Sequence, residues 1–95
     1  MEANVIQKEE INGLKFGKEE VLDSSEKKML RYHLLKQGEL LGNAYKQKTK
    51  LFFRTLEGHC MVYTTIWFAN ETHVQLKGGV MIPVRVIEDV MLSTF

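Results

Sequence analysis

The chain has 95 residues, 44% hydrophobic and 26% charged, with a formal net charge of +1. Those values fit one globular domain and exclude a disordered or fibrous chain. A single cysteine, Cys60, excludes an intramolecular disulfide; with no apolar run of about 18 residues and no secretory leader, a cytoplasmic setting without membrane contact is expected.

The charge is uneven. Residues 1–23 sum to −3, residues 24–54 to +6 and residues 55–95 to −2. A basic middle between two mildly acidic flanks is the one electrostatic signal in the sequence.

Residues 1–22 are polar, with isolated apolar side chains. Asn12-Gly13 is a turn pair that suits a small hairpin between Ile11 and Leu14. The expected organisation is a partly ordered N-terminal arm over 1–22, docking through Leu14 and Phe16, followed by one helix-plus-barrel domain over 23–95.

Asp23-Ser24-Ser25-Glu26 is a helix start. Asp23 or Ser24 accepts from the orphan amides, and Glu26 sits in the positive first turn. From Ser24 to about Tyr45 the spacing predicts an amphipathic helix. A helical wheel gathers Met29, Leu30, Leu34, Leu40, Leu41, Ala44 and Tyr45 on the face expected to be buried, with Tyr32, Leu35 and the basic residues mostly off it. Gly38 and Gly42 each weaken a helix by about 1 kcal/mol relative to alanine, so an early end near Gly42 is allowed for.

Leu51, Phe52 and Phe53 form a compact apolar group. After the turn at Glu57-Gly58, residues 59–69 read as one long bent strand. Met61, Tyr63, Thr65 and Trp67 point one way; Val62, Thr64, Ile66 and Phe68 point the other. A hairpin follows: Val74 and Leu76, a two-residue Gly78-Gly79 turn that needs positive φ, then Val80 and Ile82. Pro83 makes a corner before a last short strand with Ile87, Val90 and Leu92.

The leading helix, the hairpin Leu76-Lys77-Gly78-Gly79-Val80 and the ending from Ile82 to Val90 together resemble the SH3-like small barrels, and among them the Sm-like group. The likeness covers residues 24–92. It implies an α+β fold, one amphipathic helix followed by a bent antiparallel sheet of four to five strands. The Asp/Asn pair that Sm-like proteins carry at the close of their second strand is absent; here that region reads Trp67-Phe68-Ala69-Asn70. Before the last strand stands Arg85-Val86, so the group's nucleotide-binding residues are not transferred. Thr64-Thr65-Ile66-Trp67 with the LKGG hairpin and Ile82-Pro83 is also similar to small bacterial proteins of unassigned activity.

Catalytic chemistry finds little support. His59 and Cys60 are adjacent on a strand and point to opposite faces, so with His33 and His73 they do not form a metal set. For Cys60 as a nucleophile the candidate base is His73 from a neighbouring strand, but no Gly-rich oxyanion turn or third orienting residue accompanies them. Gly78-Gly79 lacks the following helix of a phosphate loop. Glu88-Asp89, like Glu19-Glu20, reads as solvated rim. No catalytic residue, cofactor or metal is expected.

Two binding surfaces remain. Lys46, Lys48 and Lys50 share one side of an extended segment and, with Arg54, suit a phosphate backbone, while Tyr45 or Phe52 suits stacking on a base. Lysines on an edge strand are equally an ordinary device against edge-to-edge pairing. Tyr63, Trp67 and Phe68 are candidate protein contacts, because a core this small is often completed by association. The expected function is a non-enzymatic interaction module, self-associating through its sheet or helix or binding another protein. The alternative is a module for RNA or single-stranded DNA.

Overall fold

The structure, a computed structural model, describes residues 2–93. It is α+β, with one helix and two sheets. Strand β1 (Asn4–Val5) precedes a 3₁₀ segment at Lys8–Gly13 and helix α1 (Ser25–Tyr45). Then come β2 (Thr49–Thr55), β3 (Gly58–Thr64), β4 (Ile66–Ala69), β5 (His73–Leu76) and β6 (Met81–Pro83). A 3₁₀ turn at Val84–Val86 leads into β7 (Ile87–Leu92). The first sheet has the order β1-β3-β2-β7 and the second β4-β5-β6. No closed barrel forms among these strands, and β1 adds a parallel pair on β3 that the expected antiparallel sheet did not include. Among the described residues no helix is long and apolar enough to cross a membrane.

The long strand does bend between two sheets, and the bend is a break at Thr65. On β3 the expected alternation holds, with Val62 and Thr64 buried and Tyr63 exposed. On β4 the register against β5 shifts between Ile66 and Phe68. That irregularity turns both Trp67 and Phe68 outward, each 45% exposed, although strict alternation sends Phe68 inward. β2 keeps its period of two, burying Thr49, Leu51, Phe53 and Thr55 and exposing Lys50 and Arg54.

The helix begins as its sequence predicts, with the Ser24 hydroxyl accepting from the Lys27 amide at 3.2 Å. It runs through both glycines to Tyr45 and ends on Lys46, whose left-handed backbone (φ 56°) returns its amide to Gly42. Its buried face is not the apolar one. Arg31, Leu35, Gly38 and Gly42 face the protein, whereas Met29, Leu30, Leu40 and Tyr45 are 60–72% exposed. Close approach decides this. A Cβ on Gly38 would meet Ile66 Cδ1 at 2.9 Å, and one on Gly42 would collide with the Ile66 carbonyl. Glycine on one stripe lets the helix settle onto β4 and β7, which no count of apolar residues detects.

Helix side chains also finish the free edge of β4. The Ala69 amide donates to Glu39 Oε2 at 2.8 Å, Lys36 Nζ donates to the Ala69 carbonyl at 3.0 Å, and Asn43 Nδ2 donates to the Trp67 carbonyl at 3.3 Å. Arg31 is buried because Glu20 meets it in a bidentate pair, both contacts 2.7 Å, and the Ile87 carbonyl takes a third bond at 3.0 Å. Glu20 is therefore a structural partner and not solvated rim.

The N-terminal segment is tied in more deeply than an arm docked through two side chains. Leu14 and Phe16 do pack on the core, Phe16 against Phe53 at 6.2 Å between rings, but Ile11 is itself core at 1% exposure. Asn12-Gly13 closes a 3₁₀ segment and not a hairpin turn. The Gly78-Gly79 turn has the expected positive φ at both glycines (90° and 89°). Its loop is three residues, Lys77 to Gly79, since Leu76 and Val80 are bonded across it at 2.7 Å.

Candidate functional site

The break at Thr65 and the end of α1 leave a cleft between the two sheets. Its volume is about 520 Å³, within the range of ligand sites. Gly42, Asn43 and Lys46 contribute the helix end, Val62 to Thr65 and Trp67 the bent strand, and Lys77 the hairpin loop. Gln7 and Lys8 close it from the N-terminal segment. Four lysines (Lys8, Lys46, Lys48 and Lys77) and two exposed aromatics (Tyr63 and Trp67) thus line one space that no carboxylate lines.

Local structure explains why each lysine arrives there. Lys46 carries the left-handed turn that ends the helix. Lys48 lies in the short link to β2, its Nζ 5.5 Å from the centre of the Tyr63 ring. Lys50 stands beside it at 5.9 Å from the same ring, opposite Tyr63 in the strand register and just outside the lining. Two ammonium groups over one ring are a cation–π arrangement that holds charge at the cleft mouth. Lys77 is the first residue of the hairpin loop, and its amide donates to the Thr65 carbonyl at 2.9 Å, fixing the loop against the strand break. Lys8 rests against Gly78, where an added Cβ would stand 3.4 Å from its Cε.

Among the described residues, Lys8 has a carboxylate partner, Glu9 at 3.0 Å; none lies within 4.0 Å of the Lys46, Lys48 or Lys77 amines. Glu9 is held below its ordinary carboxylate value by the Lys8 ammonium. Three lysines therefore line the cleft with no carboxylate paired to them among the described residues. Bringing such like charges together raises the local affinity for an anion.

The sequence-predicted residues divide cleanly. Lys46, Lys48, Tyr63 and Trp67 meet in the cleft, and Lys50 sits at its rim. Tyr45 projects from the helix end, 69% exposed and outside the cleft. Phe52 is half-buried on β2, outside it too. Phe68 belongs to another surface, with Lys36 Nζ 5.9 Å from its ring. Arg54 lies at the far end of β2 and is occupied by Glu88 at 2.9 Å. Lys8, Lys77, Asn43 and Thr65 were not legible as site residues; they come from separate parts of the chain that only the fold joins.

Glu88 differs from its rim reading. A register shift between Phe52 and Phe53 lets it reach the same face as Arg54 and His59, where its carboxylate, 9% exposed, bridges Arg54 and His59 Nδ1 (2.6 Å). Cys60 is buried on β3, and burial pushes its thiol above the ordinary value, with Glu57 adding to it. No group of three or more His, Cys, Asp or Glu among the described residues is arranged to hold a metal ion. Comparison with protein-family models, with curated proteins and with solved structures gave no match.

Proposed function

We propose that the chain is a non-enzymatic binding module whose lysine-lined cleft takes single-stranded nucleic acid. One observation carries the reading: four lysines and two exposed aromatics surround a single cleft that no carboxylate lines. Ammonium groups attract phosphates, and a tryptophan face accepts any base. The buried, raised-pKa thiol of Cys60 supports binding over nucleophilic chemistry. An SH3-like, Sm-like framework is part of the proposal. It is supported by the leading helix, the β7-β2-β3 and β4-β5-β6 orders joined through a bent strand, and the 3₁₀ turn before the last strand.

The test is fluorescence anisotropy with labelled single-stranded RNA and DNA at low and moderate salt. Each phosphate contact adds about 0.7 to the slope of log affinity against log salt, so Lys46, Lys48 and Lys77 together give a slope of about −2. Lys46→Ala/Lys48→Ala and Trp67→Ala weaken binding, while Arg54→Ala leaves it unchanged. Absence of binding at low salt, or an equal loss in Arg54→Ala, overturns the reading.

A second reading, self-association, is favoured by a separate observation: Met29, Leu30 and Leu40 on α1 are 60–72% exposed and face away from the protein's own core.

A further inference from the structure

We infer that a second copy of this chain covers the outer face of α1, in an antiparallel helix pair related by a two-fold axis between His33 and Gln37. This deepens the self-association reading and rests on it. With about 100° and 1.5 Å per residue, Glu26, Met29, Leu30, His33, Gln37, Leu40 and Ala44 line the side opposite Leu35 and Gly42. All seven are exposed. Half-buried Leu41 borders the same strip.

That strip is self-complementary when one copy is reversed. Met29 and Leu40 lie on one flank, so the reversed partner sets Leu40 against Met29. Leu30 and Leu41 lie on the other flank and meet in the same way. His33 and Gln37 face each other at the centre, and Glu26 lies opposite Ala44. An isologous two-fold contact needs this property, in which every contact occurs twice, once on each side of the axis.

Charge selects the antiparallel direction. Glu26 is the one charged residue on the strip, and near it Lys27 is already paired with Asp23 at 3.2 Å. Reversal brings Glu26 to the partner's helix C-terminus, where the chain continues into Lys46 and Lys48. A parallel pair sets Glu26 beside Glu26 and aligns the two helix dipoles side by side. From Met29 to Ala44 the strip is about 23 Å long and one helix wide. Pairing buries on the order of 1,000 Å², the low end of specific interfaces, so dissociation in roughly the micromolar range is expected.

The experiment combines sedimentation equilibrium with cysteine cross-linking of the full chain in a Cys60→Ala background, retained only if its unfolding midpoint shows a folded protein. Expected results are a concentration-dependent dimer, its loss in Leu30→Glu/Leu40→Glu, and, on mixing His33→Cys with Gln37→Cys proteins, disulfides mainly between unlike variants. A monomer at every concentration overturns self-association and this pairing together. A dimer that survives Leu30→Glu/Leu40→Glu keeps self-association and overturns this face. Disulfides mainly between like variants keep the face and overturn the antiparallel arrangement.

Discussion

Gly42 of the helix lies directly over the carbonyl of Ile66, close enough that even one methyl group has no room. The contact is backbone against backbone, so neither side yields by changing a rotamer. Gly42→Ala raises helix propensity yet forces α1 off β4. A loss of about 2–3 kcal/mol is expected, in the range for overpacking a dense interior. Gly13→Ala, where nothing lies within 4 Å, stays near neutral. Urea unfolding of the two variants checks the contrast; equal midpoints refute the close approach.

The Glu20–Arg31 pair ties the N-terminal segment to the helix and gives stability an acid limit. The Arg31 guanidinium holds the Glu20 carboxyl below its ordinary value of 4.5. A depressed folded-state value means the contribution is fully present above 4.5 and is lost as pH falls below it, toward the lower folded value. Wild-type thermal midpoints therefore drop on acidification through this window. Glu20→Gln costs about 2 kcal/mol at neutral pH, by leaving the buried Arg31 charge uncompensated, and makes the acid slope shallower. Parallel slopes for the two proteins rule the pair out as a contributor.

Cys60 sits on the central strand β3, with Asn4 of β1 on one side and Phe53 of β2 on the other. Its thiol is buried and its ionisation is opposed first by desolvation. Alkylation at neutral pH is expected to be slow in native protein and fast in urea. Removing residues 1–6 speeds the native reaction at least several-fold, because β1 no longer covers that edge. Labelling of the intact chain at the rate of a free thiol contradicts this geometry.

How far the sequence reads through to the structure depends on the range of each signal. Ser24 caps the helix within three residues, and Gly78 and Gly79 take the positive φ that their turn requires; such local chemistry is legible. The wheel did find a real apolar strip, and Leu34 at its edge packs on the core, yet Met29, Leu30, Leu40 and Tyr45 point outward. The inward stripe is chosen by Gly38 and Gly42, which score as helix breakers, and by Arg31, which scores as solvent-facing until Glu20, eleven residues earlier, neutralises it. The cleft divides along the same line. Lys46 and Lys48 are visible as a cluster because they are near neighbours. Lys8 and Lys77 join them only through β1 beside β3 and the hairpin folded against Thr65.

The side chains that finish the edge of β4 carry a consequence for how this protein fails. That edge is sealed by a carboxylate, an ammonium and an amide instead of by another backbone. The strand beneath, Ile66-Trp67-Phe68-Ala69, is uncharged and rich in β-formers. When the helix lifts, unpaired groups at Trp67 and Ala69 become a template for strands of other molecules. Damage to the helix seat is then felt as aggregation before it is felt as a loose monomer, and α1 serves as the sheath of its own most adhesive strand.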